Sequence, residues 1–119
     1  MAATLGIPRR WAVADSAEMY AVRAWGGGYF AINDAGNVSV TPDGPASSPI
    51  DMKELVDEVR RRGINLPLLI RFNDILKNRI VELNEAFRRA MTEYGYKGGY
   101  KGVYPIKVNQ DRYVVEKIT

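Results

Sequence analysis

The residue with the most chemical promise in this chain is Lys107, set in the string Gly102-Val103-Tyr104-Pro105-Ile106-Lys107-Val108-Asn109-Gln110. A primary amine adds to an aldehyde once partial burial or a neighbouring cation lowers its pKa. Here the amine follows a short apolar run, Gly102 to Ile106, that reads as a buried strand. The carboxyl edge of such strands is where parallel α/β folds and barrels gather their sites. Position alone does not assign the lysine, because most lysines at strand ends simply reach solvent.

The chain has no cysteine and no histidine. Thiolate nucleophiles, thiolate metal sites, disulfides and the usual neutral-pH base are therefore excluded within it. Chemistry here must run on Lys, Asp, Glu, Tyr or a cofactor. Pyridoxal phosphate is the natural aldehyde for such a lysine, and it supplies the electron sink that these side chains lack.

Other residue groups compete for attention and read more simply as structure. Arg71 ends another apolar run and could neutralise an anion, but an ordinary ion pair is the plainer reading. Gly26-Gly27-Gly28 follows a predicted helix and precedes a strand, opposite to the order of a phosphate-binding loop, so it reads as a turn. Tyr94, Tyr96, Tyr100 and Tyr104 alternate with Lys97 and Lys101 as a base-stacking surface would, yet glycines at 95, 98, 99 and 102 mark a loop. Asp51, Glu54, Asp57 and Glu58 share part of a helix face without the enclosure a metal needs.

The elements that must position Lys107 follow from periodicity. Asp15 with Glu18 predicts a short helix over 16–24, ended by the glycine run. Segments 29–33 and 37–41 alternate around Asp34-Ala35-Gly36 and predict a hairpin, which needs something larger to pack on. A loop rich in Pro, Gly and Ser occupies 41–49. Asp51 then caps a helix that runs to Gly63 with Arg60-Arg61-Arg62 at its end. Leu66 to Ile70 reads as a strand buried on both faces, and Asn73 or Asp74 caps a long helix closed by Gly95. With Gly102 to Ile106 this makes a βαβ unit, in which Pro105 must end or distort its strand, before an amphipathic segment begins near Asp111.

At 119 residues, 46% of them hydrophobic and 26% charged, the chain has the composition of one folded domain. Two parallel strands do not make a complete sheet, so the expectation is an incomplete fold. A net charge of +3, interspersed with acids, does not point to nucleic acid. Without a long apolar span or a leader-like start, the expected location is the cytoplasm, with no membrane partner.

Tyr104-Pro105-Ile106-Lys107-Val108-Asn109 resembles the lysine-bearing motif of the fold-type-III, alanine-racemase-like pyridoxal-phosphate enzymes. Trp11 with Ala14-Asp15-Ser16-Ala17-Glu18, Trp25-Gly26-Gly27-Gly28-Tyr29-Phe30, Ser48-Pro49-Ile50-Asp51 and Leu68-Leu69-Ile70-Arg71-Phe72 extend the resemblance, in order, to the opening part of the arginine-decarboxylase branch. The resemblance implies an α/β fold: the start of a (β/α)8 barrel over 49–119, preceded over 1–48 by a helix and hairpin that pack with the full enzyme's β-domain. It implies that Lys107 is both catalytic and cofactor-binding, that L-arginine is the substrate and agmatine the product, and that the full-length enzyme is a homo-oligomer associated with Mg2+. Decarboxylases of ornithine, lysine or diaminopimelate fit the bare lysine motif equally well. The alternative from another class is a stand-alone interaction module built from the same segment.

Overall fold

The computed structural model describes residues 9–44 and 47–118. They form two compact units, one from the residues up to Val40 with Pro49–Ile64, the other from Thr41–Ser48 with Asn65 onward. Among the described residues no helix is long and apolar enough to cross a membrane.

The first unit begins with α1 (Val13–Met19) and α2 (Val22–Gly26). The single helix expected over 16–24 is thus two. Asp15 lies inside the first turn, where its carboxylate accepts the Ala12 N–H at 2.6 Å and meets the Arg9 guanidinium. Ala21 divides the helices by adopting the left-handed region, φ 49°, a conformation that costs a residue with a Cβ. Trp25 Nε1 donates to the Tyr20 carbonyl at 2.9 Å across the break.

The hairpin forms as predicted. Strands β1 (Phe30–Ile32) and β2 (Val38–Val40) pair antiparallel, with Phe30 opposite Val40 and Ile32 opposite Val38. Gly36 takes φ 80° at the end of the three-residue loop, the left-handed position such a turn requires. A third strand not anticipated from sequence, β3 (Ile50–Asp51), pairs antiparallel with β2; two residues are too few to show an alternation. Val40 is fully buried, with Val22, Tyr29 and Ser39 nearly so, and Trp25 tilts against Phe30 at 5.4 Å.

Asp51 joins this sheet to α3 (Met52–Arg61). Oδ1 accepts the N–H groups of Lys53 at 2.8 Å and Glu54 at 3.1 Å, which caps the helix as the sequence predicts. Oδ2 accepts the side-chain amides of Asn33 at 2.6 Å and Asn37 at 2.9 Å, at the two ends of the hairpin loop. At the far end Gly63, φ 84°, closes the helix, and Ile64 N–H returns to the Val59 carbonyl.

The second unit is built on α4 (Asn73–Glu93), against which α5 (Arg112–Ile118) packs. Gly95 closes α4 in the same way, with Tyr96 N–H bonded to the Met91 carbonyl at 2.9 Å. Phe87 stacks on Tyr100 with centroids 4.1 Å apart. The segments 66–70 and 102–106, expected as a parallel pair of strands, form no ladder. A parallel strand needs partners along its edges and cover on both faces, and Pro67 and Pro105 each lack the N–H a ladder would use. Leu69 and Val103 are correspondingly 80% and 87% exposed. The only sheet among the described residues is the small antiparallel one, beside helices.

The Asp51 carboxyl is held down to about 2 from the usual 3.8, first by the Asn37 amide, then by the Glu54 N–H, against the opposing effect of burial, with Asn33 and Lys53 adding to the depression. A folded-state pKa depressed in this way stabilises fully above about pH 4 and loses its contribution as pH falls through about 2. Thermal melts followed by circular dichroism should therefore show a midpoint that drops between pH 4 and pH 2, with a flatter dependence in Asp51→Asn. At pH 7, Asp51→Ala should lower the midpoint by roughly 5 °C, the scale for loss of a helix cap in a small domain; an unchanged midpoint would contradict the role assigned to this carboxylate.

A lysine-bearing turn as the candidate site

Lys107 lies in a single 3-10 turn, Ile106–Val108, rather than directly on the end of a strand. Pro105 sets the entrance with φ −76° and ψ 101°, and its ring fixes the first of these angles. Val108 N–H then bonds the Pro105 carbonyl at 3.0 Å, and Asn109 N–H the Ile106 carbonyl at 3.1 Å. The turn is exposed. Among the described residues the Lys107 amine has no carboxylate or other hydrogen-bond partner.

The residues on either side make further contacts. Tyr104 is half-buried, and its hydroxyl lies 3.5 Å from the Asn109 carbonyl oxygen. Asn109 Oδ1 accepts the Asp111 N–H at 3.0 Å. Asp111 Oδ1 accepts the Tyr113 N–H at 3.0 Å and so caps α5. Its other oxygen, Oδ2, receives Arg71 Nη1 at 2.7 Å. The Arg71 guanidinium keeps the Asp111 carboxyl below its usual range, aided by the Tyr113 and Val114 N–H groups and opposed by partial desolvation.

Arg71 is therefore in the ion pair that the sequence made the plainer reading. Asp111, its partner, was visible in the sequence only as the start of an amphipathic segment; no local pattern links two positions so far apart in the chain. Leu69, Arg71, Asn73, Asp111 and Tyr113 line an open hollow of about 270 Å³ at this junction.

The remaining candidates fall to structural roles. Gly26 ends α2, and Gly27 and Gly28 turn the chain into β1 through positive φ. Tyr100 is engaged by Phe87 rather than offered as a stacking platform. Glu58 pairs with Arg61 and Arg62, and Asp57 with Lys53. Among the described residues no three acidic side chains come together in a way that could hold a metal ion, so they form no three-carboxylate site for the Mg2+ that the resemblance implies.

Chemically, the turn presents an accessible primary amine, but its exposure does not supply the partial burial that favours addition to an aldehyde.

No family model matches the chain. Curated relatives do. Biosynthetic arginine decarboxylase of Gloeobacter violaceus is 53% identical over 108 residues, covering 91% of this chain and 17% of that protein. The Pseudomonas putida protein of the same name is 53% identical over 109 residues, 92% of this chain and 17% of its own length. That of Prochlorococcus marinus subsp. pastoris is 51% identical over 115 residues, 97% and 18% respectively. The chain thus spans about a sixth of the length of the curated relatives it matches. Over nearly its whole length the chain is thus about half identical to a stretch of these biosynthetic arginine decarboxylases.

Proposed function

We propose that this chain is the opening segment of a pyridoxal-phosphate-dependent decarboxylase that converts L-arginine to agmatine and CO2 for polyamine synthesis, with Lys107 as the residue that carries the cofactor. The observation that carries the reading is the pair of facts about one motif. Lys107 sits within a region matched at about half identity by arginine decarboxylases, and its amine is accessible and without a carboxylate partner among the described residues. In the parent, residues 1–48 pack with the β-domain and 49–119 open the barrel, where the segments 66–70 and 102–106 gain the neighbours they lack here. The grouping of Pro49–Ile64 with the hairpin follows from the ties of Asp51 to Asn33 and Asn37.

Pyridoxal phosphate, when bound, supplies the electron sink that accepts the pair left behind as the carboxylate departs. The chain's own contribution is narrower. Lys107 offers a nucleophilic nitrogen, the Pro105 turn fixes where its backbone stands, and Tyr104 and Asn109 support the turn from either side. The net reaction removes CO2 from the substrate's α-carbon and adds one proton there. Groups that grip the phosphate and the guanidinium belong, on this reading, to the rest of the parent, which acts as a homo-oligomer; the isolated chain is inactive.

A graft tests this. With the chain replacing the matching segment of the Gloeobacter relative, arginine-dependent CO2 release should persist and borohydride should attach the cofactor to Lys107. Lys107→Ala should lower turnover by at least about 10³-fold, the scale on which loss of a covalent catalytic group is felt. Retained turnover in Lys107→Ala, with the cofactor reduced onto another lysine, would overturn the assignment.

A further inference from the structure

We propose that Arg71 and Asp111 are positioning residues for Lys107: their ion pair clamps the turn that carries the lysine to the segment leading into α4. The inference rests on the reading of Lys107 given above. Its geometric basis is separate.

A lone 3-10 turn has poor hydrogen-bond geometry and little stability of its own. The turn around Lys107 has two main-chain hydrogen bonds and no buried side chain. Beyond it the chain becomes tightly specified: Asn109 Oδ1 holds the Asp111 N–H, and the two carboxylate oxygens of Asp111 have separate tasks. One caps α5 through Tyr113, and the other takes Arg71. Arg71 stands two residues ahead of Asn73, the first residue of α4. The pair therefore joins the lysine's turn to the longest helix of the chain. Without it, the described hydrogen bonds along 105–111 are all local.

This pair also differs in kind from its neighbours. Arg79–Glu82 and Arg112–Glu116 join residues three or four apart on one helix, with side chains 53% exposed or more. Arg71 and Asp111 are 35% and 34% exposed and bridge distant parts of the sequence. An ion pair partly shielded from water and making a long-range tie is suited to fixing geometry rather than solubility. Covalent chemistry at an amine needs that fixity, because a displacement of about 1 Å in the backbone can cost a reaction about 10²-fold.

The test separates the clamp from the cap. Asp111→Asn keeps an acceptor for the Tyr113 N–H and removes the charge; Arg71→Gln removes the other charge; Arg71→Lys retains it. In the 119-residue chain, amide exchange followed by NMR at Val108 and Asn109 should quicken at least about tenfold in Asp111→Asn and Arg71→Gln and return most of the way in Arg71→Lys, while α4 amides such as that of Arg88 keep their rates, as expected of local opening. In the grafted holoenzyme, release of pyridoxal phosphate should quicken in the same two variants with the same rescue. Unmoved exchange at Val108 and Asn109, or an acceleration shared with α4, overturns the clamp whatever Lys107 does. A cofactor reduced onto a different lysine instead overturns the functional reading of Lys107, and with it the purpose assigned to the clamp, so the two failures are distinguishable.

Discussion

One carboxylate carries the first unit. Asp51 stands where a two-residue strand becomes a helix, and its two oxygens face different structures: the helix's first N–H groups on one side, the amides of the hairpin loop on the other. Each set would otherwise lack a partner of equal strength. Helix N-terminal N–H groups have no acceptor within the helix, and a three-stranded sheet with strands this short has few ladder bonds. Asn33 extends the arrangement, since its Oδ1 accepts the Asn37 N–H while its amide donates to Asp51. Hairpin turn, third strand and helix start are thereby one hydrogen-bonded object, and the small core of Val22, Tyr29 and Val40 lies beside it.

What the sequence disclosed follows the range of the interactions involved. The Asp51 cap, the hairpin around Asp34-Ala35-Gly36 and the glycine closures at Gly63 and Gly95 are set by residues within a few positions of one another, and each was legible. The break at Ala21 was not, because alanine favours helix and nothing in its neighbourhood announces a left-handed residue. Nor was β3, whose pairing is with a strand ten residues away and whose length hides any alternation. Segments 66–70 and 102–106 have strand composition without strand partners. Their apolar character describes the surroundings they need, and in this chain those surroundings are not supplied.

The candidate site shows the same division. The motif around Lys107 is local, and its family resemblance is a matter of residue order. The Arg71–Asp111 pair is a matter of folded geometry, and a single sequence contains no sign of it. The functional reading therefore combines two kinds of information that neither source holds alone: a lysine motif within a chain about half identical to arginine decarboxylases, and an ion pair that only the folded geometry brings together.

The way the two units share the chain bears on how the protein is made. The first unit, to which Thr41–Ser48 does not belong, ends at Ile64. A ribosome, extending the chain from its N-terminus, therefore finishes the hairpin, the third strand and the capped helix before it has added α4 or the lysine's turn. With Asp51 already bonded to Asn33 and Asn37, a settled unit precedes the apolar segments around Leu69 and Val103 out of the exit tunnel. Nascent-chain folding would thus run ahead of the region that most needs shelter from water.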